Sequence, residues 1–133
     1  MEKYSKYIDE DAQWGGLYQP LSLKKGREEG LRTVIFGSTN AGALVLDSLI
    51  RFERRHPGLL NITGVATDDP LDPNTKISVQ KRIWKYYDEN EMRSLMNQIV
   101  ELSAGEGISC YTGNVKTGYF REILRKWDPE VII

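Results

Sequence analysis

Cysteine is almost missing from this chain. Cys110 is the only one among 133 residues, which excludes an internal disulfide and a cysteine-built metal cluster. Histidine is as scarce. His56 stands alone, so paired-histidine metal motifs are excluded as well. Neither sign of charge is in excess: 18 Lys and Arg face 19 Asp and Glu, a net charge of -1. Bulk electrostatics therefore draws the chain toward neither a nucleic acid nor a membrane surface. No apolar run reaches the length of a membrane span. Met1-Glu2-Lys3-Tyr4-Ser5-Lys6-Tyr7 lacks the apolar core of a secretory signal. Together these absences read as a cytoplasmic protein.

What is present suits one domain. The hydrophobic share is 40% and the charged share 28%, an ordinary globular balance that supports a single core. The most informative stretch is Thr33-Val34-Ile35-Phe36-Gly37-Ser38-Thr39-Asn40-Ala41-Gly42. Four β-prone residues run into a turn of small ones. Val45, Leu46, Leu49 and Phe52 then recur at helical spacing. The pattern predicts strand, tight turn, helix. Gly37, Ala41 and Gly42 let backbone approach a ligand, and a positive φ at Gly37 would suit glycine alone. The free N–H groups opening the helix would face a phosphate or carboxylate. Gly37, Ser38, Thr39 and Asn40 are the candidate binding residues. The alternative is a plain β-to-α turn that binds nothing.

Residues 1–30 differ from the rest. They are polar, with Gly15-Gly16 and Lys24-Lys25-Gly26-Arg27-Glu28-Glu29-Gly30, and show no sustained period. They read as a partly flexible leader to a domain spanning 31–133, with Trp14, Leu17, Tyr18 and Leu21 as possible anchors. Strands are predicted at Thr33–Phe36, Asn61–Thr67, Ile108–Tyr111 and Val131–Ile133, with helices between them. Pro57-Gly58 should stop the first helix, leaving His56 beside Arg54 and Arg55 as an end feature rather than a base. Asp68 to Asn74 reads as a solvated turn, its three carboxylates a metal site only in the alternative. Lys76 to Tyr87 mixes bases with Trp84, Tyr86 and Tyr87. It reads as a short helix with Val79, Ile83 and Tyr87 inward, although such mixtures also serve nucleic-acid surfaces. Met92, Leu95, Met96, Ile99 and Leu102 form the seam of a longer helix that Gly105 should end. Cys110 reads as a small buried hydrophobe. Thr117 is a candidate N-cap for a last helix whose seam is Phe120, Ile123, Leu124 and Trp127. Strands alternating with helices predict an α/β fold with a parallel sheet, its first strand central.

Three passages resemble the N-terminal domain of the folate-dependent formyltransferases, which act on methionyl-tRNA, glycinamide ribonucleotide or sugar nucleotides. They are Val34-Ile35-Phe36-Gly37-Ser38, Val65-Ala66-Thr67-Asp68-Asp69-Pro70, and Gly107 to Tyr111 followed by Phe120 to Ile133. The resemblance implies an incomplete Rossmann-like three-layer sandwich, truncated at its fourth strand. It implies 10-formyltetrahydrofolate as donor, a small-molecule or aminoacyl-tRNA amine as acceptor, and Gly37 to Asn40 facing that acceptor. The family's Asn-x-His and later Asp do not occur here, so no catalytic residue is assigned and the fragment is expected to be inactive alone. No membrane partner is expected, nucleic acid is disfavoured for the fragment, and self-association through the last strand is a possibility. A nicotinamide-binding Rossmann domain competes, although Thr39 stands where the second glycine of G-x-G-x-x-G belongs. A non-catalytic binding module is the third reading.

Overall fold

Two helices and a third pack on opposite faces of one sheet. The computed structural model describes residues 4–7, 16–21, 24, 29–67, 88–113 and 115–133, with side chains from residue 16 on except those of residues 39–40, 89 and 91–97. The strands are β1 (Tyr4–Tyr7), β2 (Gly16–Pro20), β3 (Leu31–Phe36), β4 (Leu60–Thr67), β5 (Ser109–Thr112) and β6 (Val131–Ile132). The helices are α1 (Thr39–Arg55), α2 (Glu89–Gly105) and α3 (Gly118–Trp127). Expectations for Trp14, Asp68–Asn74 and Lys76–Tyr87 fall outside the described residues.

The strand order is β1-β2-β5-β4-β3-β6. β3 pairs in parallel with both β4 and β6, and β4 in parallel with β5. The α/β class and the central first predicted strand therefore stand. A wholly parallel sheet does not, because β2 runs antiparallel to both β1 and β5. Within the segment read as a leader, Tyr4–Tyr7 and Gly16–Pro20 are strands of the sheet. Leu17 and Tyr18 point to opposite faces and are both buried, as strand alternation requires. One such pair between Gly16 and Pro20 is too short for a periodicity to be read.

One core lies beneath α1 and α2. It joins Ile35, Ile62, Val65 and Cys110 of the sheet to Ala43, Leu46, Ile50, Ile99 and Val100. The other lies beneath α3 and joins Val34, Ala66 and Tyr111 to Phe120, Ile123 and Trp127. Trp127 lies so flat on β4 that a Cβ added to Gly64 would sit 2.1 Å from its ring. Thr117 caps α3, its hydroxyl accepting from Phe120 N at 3.1 Å. Asp128 ends it in the left-handed conformation (φ 47°). At the end of α2 the left-handed residue is Gly107 (φ 74°), two past the predicted Gly105.

The inward stripe of α1 is Gly42/Ala43, Leu46, Ile50 and Glu53, while Val45 and Phe52 from the predicted face are exposed. Gly42 sets this rotation. A Cβ on it would come within 2.7 Å of the Gly37 carbonyl carbon, so the helix presses its backbone onto the turn there. Residues one, two and three turns later must then face inward. Glu53 is one of them, 1% exposed. Its Oε2 accepts from Lys24 Nζ and from the Ile62 amide, each at 2.7 Å. Lys24 also donates to Asn61 Oδ1 and to the Ile62 carbonyl, each at 2.8 Å. The β4–β5 ladder begins only at Gly64. The ion pair thus serves both backbone groups of Ile62 where β5 does not reach, as buried strand backbone requires.

Candidate functional site

The turn between β3 and α1 lies at the carboxyl ends of the parallel strands. Gly37 N donates to Ala66 O of β4 at 3.0 Å, which fixes the turn to the neighbouring strand. Gly37 is not in the left-handed region. The reason for glycine here is steric: Gly37 and Gly42 meet backbone to backbone.

Ser38 is the N-cap, in extended conformation (φ -146°, ψ 168°), and its side chain makes no capping bond. The first intrahelical bond is Gly42 N to Ser38 O at 2.8 Å. The N–H groups of Thr39, Asn40 and Ala41 precede it and have no helical carbonyl to reach. The first turn carries no acidic residue, so no side chain of that turn offsets the positive end of the helix dipole. Gly37 and Ser38 are half-buried. Thr39 and Asn40 open the helix, and their side chains lie outside the described residues.

Two threonines end neighbouring strands on this same edge. Thr67 of β4 and Thr112 of β5 are opposite one another in register and buried. The Thr112 Oγ1 is fully enclosed and has no hydrogen-bond partner among the described residues, an uncommon state for a buried hydroxyl. Sequence reasoning named neither as a site residue. Their signal was position alone, at the carboxyl ends of strands, where open α/β sheets bind ligands.

His56 lies beyond the far end of α1, exposed, its ring 4.6 Å from that of Phe52. It is remote from the turn, as the helix length dictates. Cys110 is buried on the α1–α2 face. Burial pushes its thiol up to about 12, against a smaller lowering by a hydrogen bond with Ser103. A thiol so protonated is not a nucleophile at neutral pH. Among the described residues no three His, Cys, Asp or Glu side chains gather as a metal site.

The donors at the turn are N–H groups and a hydroxyl. They suit an anionic oxygen. They include neither the base nor the acid that formyl transfer needs. No protein-family model, curated protein or solved structure matches the chain.

Proposed function

We propose that this chain is the acceptor-side portion of a formyltransferase-like domain of Rossmann-like build, and that its β3–α1 turn holds an anionic group of the amine acceptor. One observation carries the reading. In chain order, the parallel strands lie third, second, first, fourth across the sheet. The order reverses at β3, and the glycine turn leaves its carboxyl end, where doubly wound sheets bind their ligands. The formyl chemistry rests on the likeness of Val34–Ser38, Val65–Pro70 and Gly107–Ile133 to the folate-dependent enzymes. The donor would be 10-formyltetrahydrofolate, and the acceptor a small amine or an aminoacyl-tRNA. With no Asn-x-His in the sequence, the chain by itself binds and does not turn over. The test titrates inorganic phosphate and a phosphorylated amine into the chain and assays formyl transfer. Saturable binding reported at Gly37–Ala41, without transfer, is expected. Transfer by the chain alone, or no binding at the turn, would overturn the reading.

A nucleotide-binding reading is favoured by one observation. Gly37 and Gly42 have the spacing of the first and third fingerprint glycines and make the close helix–strand contact assigned to the third. Binding of NAD in preference to a phosphorylated amine would select it. Self-association through β6 is proposed on separate ground. Ile132 and Ile133 are 54% and 51% exposed, and exposed apolar edge strands invite pairing. Ile132→Lys should then shift a concentration-dependent oligomer to monomer in light scattering.

No helix among the described residues is long and apolar enough to cross a membrane.

A further inference from the structure

The face of the sheet beneath α3 is only partly covered. Trp127 seats the helix over Gly64 of β4, and Phe120 meets Phe36 of β3 edge to face at 5.7 Å. These two anchors hold α3 over β3 and β4. Phe120 and Tyr119 also pack on Tyr111 of β5, and beyond them the described residues leave a groove of about 510 Å³ on the β2–β5 side of that face. That volume suits a small organic ligand.

Its floor and walls differ in chemistry. Leu17 and Ile123 make the floor apolar, and the rings of Tyr119 and Trp127 line the helix side. Gln19 and Ser109 bring an amide and a hydroxyl. The register Tyr18 to Cys110 places them side by side on adjacent strands. Two charges line the groove, Glu122 and Lys126. Glu122 accepts from Arg125 Nη1 at 2.6 Å, which offsets its charge. Lys126 has no carboxylate partner among the described residues. The local balance is therefore positive.

We propose that this groove binds a small planar aromatic ligand bearing one carboxylate. The ring lies against Tyr119 and Trp127, in the offset or edge-to-face contacts aromatic groups prefer. Lys126 takes the carboxylate, and Gln19 and Ser109 supply neutral hydrogen bonds. Ser109 opens β5 and Trp127 closes α3, so the groove lies toward the amino ends of the parallel strands. It is separate from the β3–α1 turn and independent of the formyltransferase reading.

The test uses three probes of one shape on the full chain: indole-3-acetate, 3-methylindole and tryptamine. Amide and side-chain NMR signals report where each binds. Indole-3-acetate should bind saturably, moving signals of Ser109, Lys126 and the Trp127 indole, with tryptamine the weakest of the three. Lys126→Met should weaken indole-3-acetate about three- to fivefold, the size expected of an exposed charge pair, and leave 3-methylindole unchanged. Ser109→Phe, which fills the groove from its β5 side, should abolish both. Equal binding of the acid and the amine would overturn the proposal. So would indole-3-acetate affinity unchanged in Lys126→Met, or signals that move only at the β3–α1 turn or not at all.

Discussion

The two ends of the β3–β4 pair are built differently. At the amino ends the chain binds its own polar groups. Arg32 N donates to Glu130 Oε2 at 2.9 Å, Arg32 Nε to the Asp128 carbonyl at 2.7 Å, and Glu130 N returns to Arg32 O at 2.8 Å. Lys24, Glu53 and Asn61 close the neighbouring gap. At the carboxyl ends the polar groups are not so matched. Ser38 makes no capping bond, the first α1 amides have no helical acceptor, and the Thr112 hydroxyl has no partner among the described residues. Polar groups are satisfied within the chain at one end, and the unmatched ones lie at the other, where we propose that an anion binds. Substitutions at the two ends should therefore fail differently.

The largest effect belongs to the amino end. Glu53→Ala would take the carboxylate from the Lys24 ammonium, whose side chain is 7% exposed, and remove the acceptor of the Ile62 amide. It should cost about 3–5 kcal/mol in urea unfolding. Glu53→Gln, which keeps an acceptor for Ile62, should cost less. A loss below about 1 kcal/mol for Glu53→Ala would break the contrast, because the amino end would then not depend on this pair.

Gly42→Val comes next and tests the carboxyl end as packing. Its Cβ would start 2.7 Å from the Gly37 carbonyl carbon. An overpacked contact of this kind costs about 1–3 kcal/mol. Phosphate binding at the turn should fall with it. Wild-type stability and binding would show that the helix can lift away, and that neither glycine is needed.

Thr112→Val sharpens the comparison. Removing an unpartnered buried hydroxyl while keeping its shape should be neutral, or stabilising by up to about 1 kcal/mol. A loss of more than that would assign the hydroxyl a partner in the folded protein and take it off the count of unmatched groups.

Ser38→Ala should have the smallest effect on stability and a clear one on binding. A serine N-cap that bonds its helix is worth about 1 kcal/mol. Ser38 makes no such bond, so thermal unfolding should move by no more than a few tenths of a kcal/mol. Phosphate affinity at the turn should weaken by roughly 0.5–1.5 kcal/mol, one neutral hydrogen bond. The opposite pattern, lost stability with unchanged affinity, would make the serine a cap and the turn merely structural.

Much of this was legible in the sequence. β3, β4 and α3 announce themselves because apolar period and turn chemistry agree there, from Thr33–Phe36 to the Thr117 cap and the Asp128-Pro129 stop. The glycine turn was legible as a turn. The strands at residues 4–7 and 16–20 were not, because so few residues show no period and their order comes from neighbours in the sheet. The rotation of α1 does not follow from its apolar residues alone. Val45 and Phe52 fit the helical period as well as Ala43 and Ile50 do, and a buried glutamate is a poor guess without its lysine.

Local sequence by itself determined the α/β class, the alternation of the central elements, the place of the glycine turn and the burial of Cys110. Each depends on residues close together in the chain, whose propensity and period act before any distant contact forms. Tertiary structure alone decided the antiparallel strands, the phase of α1 and the burial of Glu53. It also decided the open groove beside α3. Each of these turns on pairs far apart in sequence: β2 with β5, Lys24 with Glu53, Trp127 with Gly64. Gly37 and Gly42, only five residues apart, join them because a backbone contact leaves no mark in a hydrophobic pattern.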